Sequence, residues 1–218
     1  MEEINRAAAA IARRAAGSRV TVLGDLGPCG GFLRPLGEID AQDLGTEFER
    51  QARALVAGGV DGIIIETMSA VEELVLAIRA ARAAGAPYVI ASLAFDRLPN
   101  GSLRTMMGVS PEQAAQAAVS EGADVLGANC GTRMTPADFA AVVAAYRGVS
   151  DKPVMIQANA GTPELEGGRA VYRLGPADFA ERMREVVAAG ARILGGCCGT
   201  TPAHIAALAA MSRGTRSA

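Results

Sequence analysis

A chain of 218 residues is long enough for one good core, or two at most. Its formal charge is −2 with acids and bases interspersed, which argues against nucleic acid or an anionic membrane surface as partner. No apolar run approaches the roughly 18 residues needed to cross a bilayer, and four cysteines in a chain of this size do not make a secreted disulfide framework, so reduced thiols in the cytoplasm are expected.

The chain opens on an amphipathic helix, "MEEINRAAAAIARRAAG", which carries acids at once and lacks the apolar region of a secretory signal. Strand-length apolar runs then follow in order: "VTVLGDLG", "DGIIIETM", "PYVIASLAF", "ADVLGANCG", "PVMIQANAG" and "ARILGGCCG". They recur at the spacing of βα units, and Ala-rich stretches of helical period such as "SAVEELVLAIRAARAAG" lie between them. Helix starts are marked by Ser110-Pro111, Thr135-Pro136, Gly175-Pro176 and Thr201-Pro202, with Pro in the first helical position. Helix ends carry Gly17, Gly58, Gly85, Gly122 and Gly190. The runs are apolar throughout and do not alternate, as expected of strands covered on both faces. The pattern predicts six strands and seven helices in one domain, residues 1–218.

Two folds suit it, an open doubly wound sheet and a (β/α)₈ barrel of TIM type. In either, function sits where strands end and loops begin. Those ends hold Asp25, Cys29, Glu66, Thr67, Asn129, Cys130, Asn159, Cys197 and Cys198. No GxGxxG or GxxxxGK[ST] motif opens a helix, which weakens a nucleotide reading and favours the barrel.

The cysteines carry the most specific signal. Cys130 ends one strand and the adjacent pair Cys197-Cys198 ends the strand two units later. A disulfide between neighbours is badly strained, and CC lacks the spacer of a redox CxxC motif. Three buried small residues would be the bland alternative. Three thiolates sharing a zinc ion with one position open fit the placement better. Such a site has a net charge of −1, poor for making hydroxide but suited to holding a substrate thiol as a nucleophilic thiolate. Cys29 is expected to be a spectator on the rim, because a fourth sulfur would close the site.

Other strand-end residues leave alternatives open. Glu66 follows Ile-Ile-Ile directly, costly unless paired, so it is either a salt-bridged rim carboxylate or a binding group. Asn129 and Asn159 either order the loops or donate to a metal-bound sulfur. His204, the only histidine, is expected to hydrogen-bond on a helix face or to a loop, not to ligate. Tyr172 and Thr200 could line the pocket.

The segments "GANCG" at 127–131, "GGCCGTTPAHI" at 195–205, "DGIIIETM" at 61–68 and "PVMIQANAGTPELEGGRAVY" at 153–172 resemble the homocysteine S-methyltransferase family. The resemblance runs from about residue 4 to residue 208. It implies a (β/α)₈ barrel, Zn²⁺ held by Cys130, Cys197 and Cys198, and methyl transfer to the thiol of homocysteine to form methionine. By the same match Glu66 pairs with the substrate's ammonium, and Thr67, Asn129, Asp25 and Asn159 are the further substrate-binding candidates. The methyl donor would be external: a methyl-corrinoid or methylfolate on a separate domain or protein, betaine, or S-methylmethionine.

The chain departs from the family at two points. The two strands that open the family's barrel are missing, so an incomplete barrel of about six βα units is expected, with edges that invite a partner or self-association. Asp25 stands where relatives tend to carry a small neutral residue. It either replaces a lost acidic contact or is a loop carboxylate capping backbone N–H groups. Two rivals remain at this point: a non-catalytic zinc- or thiol-binding relative needing a partner, and a phosphate-binding barrel in which Gly195-Gly196 approaches an anion and the cysteines are incidental.

Overall fold

The computed structural model describes residues 1–214. Helix α1 (Glu2–Ala16) leads into strand β1 (Leu23–Leu26), and α2 (Ala41–Ala57) into β2 (Gly62–Met68). Then come α3 (Val71–Ala83), β3 (Val89–Leu93), a hairpin of β4 (Asp96–Arg97) and β5 (Leu103–Arg104), α4 (Pro111–Ser120) and β6 (Val125–Asn129). The chain continues through α5 (Pro136–Val149), β7 (Val154–Ala158), a second hairpin of β8 (Glu164–Glu166) and β9 (Arg169–Val171), α6 (Pro176–Ala188), β10 (Ile193–Gly196) and α7 (Pro202–Gly214).

Local chemistry sets these boundaries. Ser110 and Thr135 each close a reciprocal capping box, with Gln113 and Asp138 respectively, and Pro follows in the first turn. At the end of α2 the sequence marks Gly58, yet Gly58 is helical (φ −80°) and the next residue, Gly59 (φ 91°), makes the left-handed exit. The two hairpins escape the sequence pattern because their strands are only two or three residues long. The second turns at Gly167-Gly168, both at positive φ, which a two-residue hairpin loop requires.

Six strands form one parallel sheet in the order β1-β2-β3-β6-β7-β10. Spatial order follows chain order without reversal, and each helix packs beside the next along the chain. A doubly wound sheet reverses its order at a switch point; this one does not, so the sheet curls as an incomplete TIM-type barrel. Among the described residues, strands β1 and β10 have one neighbour each.

The two sheet faces differ. The helix-facing side holds the core, in which Leu26, Ile63, Ile65, Leu126 and Ile156 meet Leu74, Ile78, Phe139 and Phe179. The concave side has only a small apolar group, Ile64, Ile90 and Met155, flanked by Leu23 and Val125. With the two-residue alternation of strands, the same face carries Asp25 beyond Leu23, Glu66 beyond Ile64, Ser92 beyond Ile90, and Gln157 beyond Met155. Asp25 is therefore a strand residue, in register with Ile64, and not a loop cap.

Candidate functional site

The reactive residues gather at the carboxyl ends of β2, β6, β7 and β10. Cys130 follows β6 and donates its N–H to the Gln157 carbonyl at 3.1 Å. Cys197 and Cys198 follow β10: the Cys197 N–H reaches the Ala158 carbonyl at 2.8 Å, and the Cys198 carbonyl accepts from Ala160 at 2.9 Å. These bonds tie both cysteine segments to β7, the strand between them. The Cys130 and Cys198 sulfurs are 3.8 Å apart, those of Cys197 and Cys198 3.9 Å, and all three lie within 4.8 Å of one another. Tetrahedral zinc with Zn–S bonds of about 2.3 Å separates its sulfurs by about 3.8 Å. The donor set therefore fits zinc in type, number and spacing.

Electrostatics point the same way. The neighbouring Cys197 thiol, aided by Asn159 and Cys198, pulls the Cys130 pKa down to about 5. The resulting thiolate, with burial, pushes Cys197 strongly upward. Without a cation the cluster holds one negative charge readily and resists more. A dication is what lets three sulfurs ionise together.

Two asparagines organise the ring. Asn159 donates to the Gly131 carbonyl at 3.0 Å and lies 3.8 Å from the Cys130 sulfur, while its Oδ1 accepts the Cys198 N–H at 3.0 Å. It both staples the two cysteine loops and faces a sulfur. Asn129 is buried, and its Oδ1 accepts from the Thr67 N–H at 3.0 Å and the Ser92 hydroxyl at 2.7 Å. Its Nδ2 donates to Thr67 Oγ1 at 2.8 Å and sits 4.0 Å from the Cys197 sulfur.

Among the described residues, two non-glycines have positive φ: Thr67 at 62° and Cys130 at 57°. For a β-branched residue this is an outlier, and such conformations cost about 1–3 kcal/mol each, persisting where the surroundings impose them. Thr67 sits where the β2–β3 register shifts between Ile65 and Met68, a bulge that re-aims Glu66 and Thr67 at the strand end.

Glu66 joins no ion pair among the described residues, so the salt-bridged rim reading fails. Its partner is Gln157, whose Nε2 donates to Glu66 Oε2 at 3.3 Å. Asp25 is exposed as a whole at the edge strand, yet its carboxyl faces the concavity. Desolvation there, and then the Glu66 charge, raise its pKa to about 6.

Cys29 is exposed and outside the cluster, as expected of a spectator. Its N–H donates to the buried Glu73 carboxylate at 2.6 Å, and desolvation with the Glu73 contact raises its thiol pKa. His204 is not a ligand. Its Nδ1 accepts the Thr201 N–H at 3.1 Å, which leaves Nε2 to donate to the Leu174 carbonyl at 2.8 Å. Gly195 and Gly196 are explained by packing: a Cβ on Gly195 would lie 2.9 Å from Gln157 Cγ, and one on Gly196 would lie 2.5 Å from Thr200 Oγ1. The glycine pair therefore gives no support to an anion site.

Three contributors carried little or no signal in the sequence. Tyr172 is one: burial, the nearby Cys198 and the cysteine charges raise its pKa. Ser92 and Gln157 lie inside apolar runs, although alternation along "PVMIQANAG" puts Gln157 on the face of Met155 and Asn159. A cavity of about 930 Å³ opens over β1–β3, lined by Pro28, Phe32, Leu33, Thr67, Met106 and Met107 among others. It excludes the cysteines and meets their network at Thr67.

The family described as homocysteine S-methyltransferase matches residues 1–212. The chain is 33% identical over 218 residues to methionine synthase of Mycobacterium tuberculosis, covering 96% of this chain and 18% of that protein. It is 28% identical over 226 residues to betaine–homocysteine S-methyltransferase 1 of Danio rerio, covering 95% of this chain and 54% of that one. The chain thus spans about a fifth to a half of the length of these relatives. In fold it superposes on the homocysteine methyltransferase MmuM of Escherichia coli with TM-scores of 0.72 for the oxidized form and 0.68 for the metallated form, at 21% and 22% identity. Those two pairings cover 96% and 94% of this chain, and 70% and 65% of the neighbour.

Proposed function

The chain belongs to the homocysteine S-methyltransferase family, and from that premise we propose that it binds homocysteine, or a close amino-acid thiol, and directs a methyl group onto its sulfur. The observation that carries this reading is the convergence of three cysteine sulfurs at zinc-ligand spacing from two separate strand ends.

Cys130, Cys197 and Cys198 would hold the zinc. Bound zinc would supply acidification, so that an incoming thiol is present as thiolate at neutral pH. The chain's own groups do the rest. Asn159 fixes the two cysteine loops relative to one another, and Asn129 holds the strained Thr67 beside them. Glu66, with no cation paired to it among the described residues, takes the substrate ammonium, and Asp25 adds negative potential on the same face. Holding sulfur and ammonium at once fixes the nucleophile's direction, which lowers the orientational part of the barrier. The methyl donor comes from outside this set of residues, as a methyl-corrinoid, methylfolate, betaine or S-methylmethionine. The cavity next to Thr67 gives a donor room to approach.

Close-set thiols that must stay reduced fit a cytoplasmic setting. Among the described residues no helix is long and apolar enough to cross a membrane.

Metal analysis tests the reading. About one zinc per chain is expected for a three-cysteine site with one position open, lost in Cys130→Ala and in Cys198→Ala, with a further sulfur ligand seen by X-ray absorption when homocysteine is added. Methionine formation is then measured with each donor in turn. Zinc and homocysteine bound, with no turnover by any donor, would leave a thiol-binding module in place of an enzyme. Absence of zinc binding would end the proposal.

A further inference from the structure

We infer that Gln157 is a specificity-determining residue, whose side-chain oxygen accepts an N–H from the substrate's ammonium beside Glu66. This inference rests on the reading above and deepens it.

The observation behind it is an orphan. Gln157 Oε1 is the buried side-chain polar atom without a hydrogen-bond partner among the described residues. Buried acceptors are almost always satisfied, so each exception needs an explanation. The amide cannot simply turn over. Its nitrogen donates to Glu66 Oε2, and a flip would set oxygen against carboxylate oxygen. The residue is held from several sides. Its carbonyl takes the Cys130 N–H, its neighbours in register are Asn129 and Gly195, and Gly195 leaves space that a larger residue would deny the side chain. The free oxygen thus sits one strand step below the sulfur cluster.

Charge identifies what it accepts. Glu66 and Asp25 share this face, and neither is paired with a cation among the described residues. A ligand suited to the place brings positive charge and several N–H donors in different directions. A primary ammonium does so, with one N–H for Glu66 and another for Gln157. A thiol without an amine would reach the sulfur site and leave the Gln157 oxygen without a donor and Glu66 without a cation. Sites that lose a hydrogen bond in this way discriminate strongly against the lacking analogue.

The test uses the zinc-loaded chain and two thiols, L-homocysteine and 4-sulfanylbutanoate, which has the same skeleton without the amine. Calorimetry should show the unsubstituted chain favouring homocysteine by about 100-fold or more. In Gln157→Met, which keeps the volume and removes the acceptor, that preference should fall by about 10-fold or more, with 4-sulfanylbutanoate affinity and zinc content unchanged. In the unsubstituted chain, the Gln157 side-chain amide resonance should shift with homocysteine and stay in place with 4-sulfanylbutanoate. This second measurement decides the matter if the variant fails to fold. An unchanged preference in Gln157→Met, or equal shifts with both thiols, overturns the inference while leaving homocysteine binding intact. Failure of homocysteine to bind the loaded chain overturns the proposed function, and this inference with it.

Discussion

Asn129 is the residue whose loss should reveal how the site is held. It is 1% exposed, and its Oδ1 accepts from both the Thr67 N–H and the Ser92 hydroxyl. Asn129→Ala removes that acceptor and fills the space with nothing. An unsatisfied buried donor costs about 1–3 kcal/mol. The Thr67 N–H is fixed and should lie in the upper part of that range, whereas the Ser92 hydroxyl can rotate and should lie near the bottom. The sum is about 3 kcal/mol, a large share of a typical total of about 5–15 kcal/mol. At about 2–4 °C per kcal/mol for a chain of this size, the midpoint should drop by roughly 6–12 °C. The measurement is thermal unfolding by circular dichroism with a chelator present, so that metal affinity does not enter. Ser92→Ala is the reference, since it removes one bond and leaves Asn129 with Thr67; it should cost about 1 kcal/mol. If Asn129→Ala unfolds within about 2 °C of Ser92→Ala, the left-handed Thr67 is imposed by something else, and the account of this junction is wrong.

Two further outcomes follow from charge. In the metal-free chain one thiol should titrate near pH 5, seen as thiolate absorbance at 240 nm, and Cys197→Ala should move it upward by removing the neighbouring thiol that lowers Cys130. Because the folded pKa lies below the unfolded value, this group's contribution to stability is complete above the unfolded pKa, near 9, and is lost as pH falls through about 5. Asp25 has the opposite sign. Its folded pKa, about 6, exceeds the ordinary 3.8, so ionisation destabilises the fold above pH 6 and relief comes as pH falls through 6 toward 4. Asp25→Asn should therefore stabilise the chain at pH 7–8 and flatten its stability profile between pH 4 and 7. A variant less stable than its parent at pH 8 would refute that placement of the carboxyl.

The fold was legible because βα units advertise themselves locally. Continuous apolar runs marked the six sheet strands, and Ser110-Pro111, Thr135-Pro136 and Gly175-Pro176 marked helix starts that the structure places at those residues. Winding was harder to read, since doubly wound sheets and barrels use the same units; the unreversed strand order decides it. The three sulfurs were legible from an unusual pair and its partner two units away. The acceptor set below them was not. Glu66 stood out as an acid after three isoleucines, but Gln157 and Ser92 sit within apolar runs and acquire meaning only across strands. Gln157 meets Glu66 over a separation of 91 residues, and Ser92 meets Asn129 over 37.

The two sheet faces also explain why charge is tolerated on one of them. Ile63, Ile65, Leu126 and Ile156, under the helices, form a dry layer in which no unpaired carboxylate could remain ionised. Asp25 and Glu66 stand on the opposite face, close to β1, whose outer edge has no neighbour among the described residues. Water reaching that edge hydrates them and limits the rise in the Asp25 pKa. A strand laid along β1 would remove the water, lower the local dielectric, and raise the cost of leaving the two carboxylates without a cation. The same change would strengthen their attraction for an ammonium. On the proposed function, closure of the barrel by such a strand and affinity for an amino-acid thiol would be coupled through one pair of acids. The coupling acts on the ammonium end alone, because the three sulfurs are fixed by β6, β7 and β10, on the far side of the sheet from β1.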